Sequence, residues 1–97
     1  MRIKTTYIDA DDCILSHIGN FQDNSPALIL KDKATGETIC KVSVCVPSSQ
    51  LAKGEFLLKS YSENKGLFDA LNNLGVIEYI RSIRNGFVEL HVCKLKP

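Results

Sequence analysis

Four groups of residues in this 97-residue chain have types and spacings that could do chemistry. Glu89, His91 and Cys93 alternate on one side of a late apolar run, and carboxylate, imidazole and thiol are the ingredients of an activated nucleophile. Neighbours two apart on a strand, however, hold their Cβ atoms about 6–7 Å apart at a rise of ~3.3 Å per residue. That is long for a direct Cys–His hydrogen bond, and no glycine-rich oxyanion turn adjoins the run. A half-exposed polar face is the expected reading. Asp9, Asp11 and Asp12 offer oxygens to a hard cation but lack the Gly and closing Glu of a calcium loop, so a solvated turn is expected.

Tyr61-Ser62-Glu63-Asn64 stands at a strand-to-helix junction, where free backbone N–H groups can hold an anion or a partner's carboxylate. The same residues also make a good helix start. Ser62 or Asn64 would cap it, worth on the order of 1 kcal/mol; Glu63 would complement the dipole, and Tyr61 would pack beneath. The fourth group is basic: Arg81 and Arg84 before Asn85, with Lys94 and Lys96 on the partner strand. A phosphate or an acidic protein surface could meet it. No aromatic ladder interleaves those charges as single-strand binders require, and Trp is absent.

Composition sets the frame for these groups. Twelve Lys and Arg against eleven Asp and Glu leave a formal charge of +1, which removes any bulk electrostatic case for nucleic acid or membrane binding. Residues 51–97 hold seven cations against five anions, and residues 1–50 hold five against six. The length is that of one domain spanning 1–97, and folding at this size removes roughly 60–68% of the unfolded chain's surface. Cys13, Cys40, Cys45 and Cys93 have no zinc spacing, and Met1 to Tyr7 has no apolar leader. Reduced cysteines in a cytoplasmic protein, with no membrane span, are therefore expected.

The elements that must position these groups follow from periodicity. Arg2 to Ile8 alternates as an edge strand broken by Asp9 to Asp12, and Cys13 to Ile18 is a second β run. Ala27 to Lys31 and Glu37 to Val46 form a hairpin about the Lys33–Gly36 turn. Thr38, Cys40, Val42, Val44 and Val46 should face the core, and Pro47 should end the strand. After the polar connection Ser48-Ser49-Gln50, a short strand covers Glu55 to Lys59. Leu67, Ala70, Leu71 and Leu74 then mark one stripe of a helix of about three turns, stopped by Gly75 in the left-handed region. Val76 to Arg84 and Phe87 to Leu95 flank Asn85-Gly86, a type I′ signal. The expected fold is α+β: an antiparallel sheet of five or six strands with one short helix packed on one face.

From Phe21 to Leu95 the chain resembles a family of small bacterial proteins of unknown function met on plasmids, prophages and conjugative elements. The matching pieces include Ala27-Leu28 with Leu30, Gly36-Glu37, Val42-Ser43-Val44 before Val46-Pro47, and Gly86-Phe87-Val88. The distinctive stretch is Lys59-Ser60-Tyr61-Ser62-Glu63-Asn64, followed by Gly66-Leu67 and Leu71. Cys45 stands where the family has asparagine, and Ser60 where it has aspartate. The resemblance implies a mobile-element setting and brings no reaction with it.

No phosphate loop, nucleophile elbow or acid–base pair is present. The expectation is therefore a binding module rather than an enzyme, without cofactor or metal, meeting an unknown protein partner or a second copy. The candidate contact surface is an uncovered sheet edge or the outer face bearing Ile39, Phe87 and Leu95. The candidate binding residues are Tyr61, Ser62, Glu63, Asn64, Arg81, Arg84 and Phe87. Two alternatives are a nucleic-acid accessory protein using the basic group and a cysteine-dependent enzyme at Cys93.

Overall fold

Alternating apolar runs punctuated by glycine and Asx turns give short antiparallel strands. The computed structural model describes residues 1–47 and 50–97, so Ser48 and Ser49 of the expected polar connection lie outside the described residues. A two-stranded hairpin joins β1 (Ile3–Lys4) to β2 (Asp9–Ala10). The expected strand over Arg2 to Ile8 is thus split. Thr5 N–H donates to Ile8 O at 2.7 Å, and Ile8 N–H donates to Thr5 Oγ1 at 3.1 Å, closing a turn that puts Asp9–Ala10 in the ladder instead of breaking it.

A second sheet has the order β3 (Cys13–Asn20), β4 (Pro26–Asp32), β5 (Thr38–Lys41). The turn after β4 is as expected, with Gly36 at φ 76°. The third sheet contains β6 (Ser43–Val44), β7 (Phe56–Leu58), β8 (Ile77–Asn85) and β9 (Val88–Leu95), in the order β6-β7-β9-β8. The architecture is α+β and antiparallel, but in three small sheets and not one of five or six strands.

The alternating run from Glu37 accounts for the division. Its first part, β5, pairs with β4, whereas its second part, β6, pairs with β7. Val42 is the pivot: its N–H donates back to Leu28 O at 2.9 Å, while its carbonyl accepts from Lys59 N–H at 2.8 Å. One length of chain therefore serves two sheets and turns a corner between them. Ladder pairing stops at Val44, short of Pro47.

The helix, α1 (Leu67–Asn73), has two turns where three were expected. Its N-cap is Gly66 at φ 88°, without a side-chain cap bond, so neither Ser62 nor Asn64 caps it. Ser60 Oγ instead accepts the Phe68 N–H at 2.9 Å. The C-terminus ends as the glycine implies. Gly75, at φ 73°, donates to Asn72 O, and Val76 donates to Leu71 O, the paired bonds of a Schellman stop. Leu67 and Leu71 are wholly buried and Ala70 partly, but Leu74 falls on the exposed side past the last turn.

Two apolar clusters sandwich the third sheet. On the helix side, Phe56, Leu58, Ile77 and Cys93 meet Leu67 and Leu71, together with Ile3, Cys13, Leu28, Leu30 and Val42 from the other sheets. On the opposite side, Leu57, Leu90 and Val92 are covered by Val44, Val46, Leu51, Tyr61, Ile83 and Val88. All three residues of β7 are buried because the strand lies between both clusters. The β8–β9 turn is displaced by one residue from expectation. Asn85 pairs with Val88, leaving Gly86 (φ 65°) and Phe87 as the two loop residues, with positive φ at Gly86 alone. That is the type II′ arrangement, which needs glycine first and tolerates a bulky second residue.

Candidate functional site

The Tyr61–Asn64 segment is a corner clamp. Ser62–Asn64 make a single 3₁₀ turn, entered through Ser62 at φ 57°. That turn drives Asn64 into the interior, where it is wholly buried. Its Nδ2 donates to Lys41 O at 2.6 Å and to Lys59 O at 3.1 Å. Those two carbonyls flank Val42, where the chain leaves one sheet for the other. The Asn64 amide supplies the donors that a continuous ladder would have supplied. Its Oδ1 is buried without a hydrogen-bond partner, so the side chain is oriented by its two donated bonds.

The rest of the motif supports that turn. Lys59 Nζ binds Glu63 Oε1 at 2.5 Å and lies 5.3 Å from the centre of the Tyr61 ring, whose body packs on the Leu57–Leu90–Val92 cluster. Lys59 holds the exposed Glu63 carboxyl below its ordinary pKa. Ser62 faces solvent beside Tyr7 in a shallow hollow.

A polar partner of the clamp lies on the same corner and escaped the sequence reading. Ser43, which is not in the set expected to face the core, is buried; its hydroxyl accepts Leu28 N–H at 2.8 Å and donates to Pro26 O at 2.9 Å. A lone serine within a valine run is the signal that could have revealed it.

Arg81 is committed internally. Its Nη1 lies 3.2 and 3.3 Å from the Glu55 carboxylate oxygens, and its Nη2 donates to Gln50 O at 2.7 Å. Glu55, buried ahead of the Phe56–Leu58 strand, also accepts Ala52 N–H at 2.8 Å. Arg81 is thus a strut for the 50–55 segment, with its guanidinium engaged by Glu55 and Gln50 O. Arg84 is exposed and lies across the ladder from Glu89.

The Ala52 N–H, with Arg81 adding to it, holds the Glu55 carboxyl below its ordinary pKa of 4.5 against the opposing effect of burial. With the folded pKa below the unfolded one, the unfolded chain takes up the proton first as pH falls. The contribution of Glu55 is complete above the unfolded pKa and is lost as pH falls through the folded pKa. Urea midpoints measured from pH 7 down to pH 3 are expected to fall less steeply below pH 4.5 for Glu55→Gln than for the wild type.

The other groups named from the sequence lie apart from the clamp. His91 stacks on Phe68, with ring centroids 3.9 Å apart and planes 7° from parallel, and meets Tyr79 edge-on at 5.8 Å. Its Nδ1 is buried and unpartnered, and Glu89 stands 4.0 Å from Nε2. Cys93 is buried in the helix-side cluster, and burial pushes its thiol up to about 12. Burial of this kind disfavours the thiolate form. Cys40 is likewise pushed up to about 11 by burial. All four cysteines are free. Arg2 answers the acidic turn, pairing with Asp9 at 3.2 Å and with Asp11. Among the described residues, no group of three His, Cys, Asp or Glu side chains could hold a metal ion, and no helix is long and apolar enough to cross a membrane.

The expected outer face does not form either. Ile39 packs against the helix-side core, while Phe87 and Leu95 lie at opposite ends of the β8–β9 hairpin. Phe87 is fully exposed at the tip, at 102% of its reference area. Two of the edge strands, β3 and β8, each carry a bulge, at Ile18 and Ile80, which blunts them as pairing templates. Beside the first bulge is an apolar cleft of about 450 Å³, lined by Ile18, Phe21, Ala27, Leu28, Val44 and Cys45, with Lys41 on its wall. The Asp23 carboxylate, hydrogen-bonded by Ser25 and by the Cys45 thiol, lines a separate hollow with Asn20, Asn24 and Leu51.

Comparisons with protein-family profiles, curated proteins and solved structures find no match to the chain.

Proposed function

We propose that this chain is a small protein-interaction module that docks through the tip of its β8–β9 hairpin. The supporting observation is Phe87, a phenylalanine left wholly in water at the end of a two-stranded projection. Burying such a side chain is worth roughly 1.5–3 kcal/mol, and a few buried anchor residues carry most of the binding energy of an interface. Arg84 and Glu89 stand just behind it as a charged rim. Gly86 supplies the backbone freedom that presents the ring, and the neighbouring pairs keep the hairpin rigid, so little ordering accompanies binding. The mobile-element setting implied by the Tyr61–Asn64 resemblance, with cytoplasmic residence, belongs to the same reading.

A photo-crosslinking residue at position 87 is expected to trap a discrete partner in a cell extract, whereas the same probe at exposed Lys33 is not. Phe87→Ser is expected to abolish recovery of that partner with its unfolding midpoint unchanged, since the side chain touches nothing in the fold. Equal crosslinking at both positions, or full recovery by Phe87→Ser, overturns the reading.

A further inference from the structure

We propose that the cleft beside the β3 bulge binds a small linear carboxylic acid, an alkyl chain ending in one carboxylate. This site is separate from the Phe87 tip, and the proposal does not depend on the interaction reading above.

The cleft lies where the chain crosses from the second sheet to the third. In β4, Leu28 and Leu30 are buried in the core, so Ala27 and Ile29, which alternate with them, turn to the other face and meet the cleft. Lys41 is the cross-strand partner of Ile29, and directly opposed residues share a face, so the lysine side chain leaves the sheet on the cleft side. The bulge in β3 leaves Ile18 out of the ladder, 62% exposed at the cleft, and Phe21 and Val44 extend the apolar wall. A volume of about 450 Å³ is that of a small-molecule site, and such sites are mostly apolar with a few polar groups that fix orientation.

Charge selects the class of ligand. Among the described residues that line the cleft, Lys41 is the one charged side chain; it is exposed, and its ammonium forms no ion pair with another described residue. The Asp23 carboxylate belongs to the neighbouring hollow and is already hydrogen-bonded by Ser25 and Cys45. One cation beside an apolar wall accepts one anionic head, whereas a second charge on the ligand would be desolvated there without a partner. The shape of the wall favours a linear tail. Lys41 and Cys45 both line the cleft four positions apart on one run, which spans up to ~13 Å at the rise of an extended chain. The head therefore sits at Lys41, and the alkyl chain runs toward Val44 and Cys45.

Titration of isotope-labelled protein with octanoate, decanoate and decanol near neutral pH, followed by amide chemical shifts, tests this. Saturable shifts are expected at Ile18, Phe21, Ala27 and Val44, and none at the Phe87 tip. Decanoate should bind roughly 10-fold more tightly than octanoate, because two more methylenes are buried. Lys41→Met, which keeps the apolar stem, should weaken decanoate about five-fold, the scale of an exposed ion pair, and leave decanol unchanged. Ile18→Glu, which sets an anion on the apolar wall, should weaken decanoate by more than about 10-fold. Unfolding curves establish that both variants are folded. Absence of saturable shifts at the cleft, equal affinity for decanoate and decanol in the wild type, or equal loss of both in Lys41→Met overturns the proposal.

Discussion

Asn64→Asp is expected to destabilise the fold by about 2–4 kcal/mol, because it removes both donors from a buried corner and sets a carboxylate against two carbonyl oxygens. For a domain of this size the melting temperature should fall by roughly 10–25 °C. The substitution separates two roles that the motif could play. As a helix cap, aspartate is as good as asparagine, and the change would be nearly neutral. As a clamp on Lys41 O and Lys59 O, it cannot replace the amide at all. Asn64→Ala should lose somewhat less, since it leaves the carbonyls unpaired without adding a repulsive group. Ser62→Ala, on the exposed side of the same turn, should stay within about 0.5 kcal/mol of the wild type. Urea titration with an unchanged m-value is the measurement, and equal midpoints for Asn64→Asp and the wild type would show that the clamp is energetically idle.

Ser43→Val inverts what strand propensity says. Valine is the better strand former, and the surrounding Val42, Val44 and Val46 make it look like the natural residue. The substitution is nevertheless expected to destabilise the protein by about 2 kcal/mol, because Leu28 N–H and Pro26 O lose their shared hydroxyl. Ser43→Ala should show nearly the same loss, separating the missing bonds from any crowding by valine. Ser43 and Asn64 act on opposite sides of Val42, whose own N–H and carbonyl bond to the two different sheets. Their effects should therefore couple, and a double-mutant cycle is expected to give an interaction of 0.5 kcal/mol or more; strict additivity would mean that the corner is not one unit.

These residues show where a sequence reading stops. The hairpin elements were legible because alternation and turn chemistry act over a few residues: Ala27 to Lys31, the Gly36 turn, and the β8–β9 pair all lie close to their expected places. The helix stop was legible for the same reason, since a left-handed Gly75 is a local demand. The helix start was not. Ser62 and Asn64 have the chemistry of caps, but a left-handed Ser62 turned Asn64 inward, and Gly66 took the cap position. The surroundings of Arg81 and Cys93 were hidden on similar grounds: Arg81 holds Glu55 and Gln50 O, and Cys93 lies in the helix-side core. A free cation and a latched one have the same spelling, and so do a surface thiol and a buried one. Phe87 was named from the sequence, but its full exposure follows from a one-residue shift of the turn.

Composition, periodicity and turn residues by themselves determined the element types, their approximate bounds and the α+β class, because each depends on backbone preferences and side-chain spacing within about ten residues. Only the tertiary structure decided that the Glu37–Val46 run would serve two sheets, that Asn64 and Ser43 would hold its corner, and that Phe87 would stand alone. Those outcomes depend on which distant carbonyls and N–H groups remain unpaired once the sheets diverge. That is a property of the closed structure, and no stretch of chain encodes it locally.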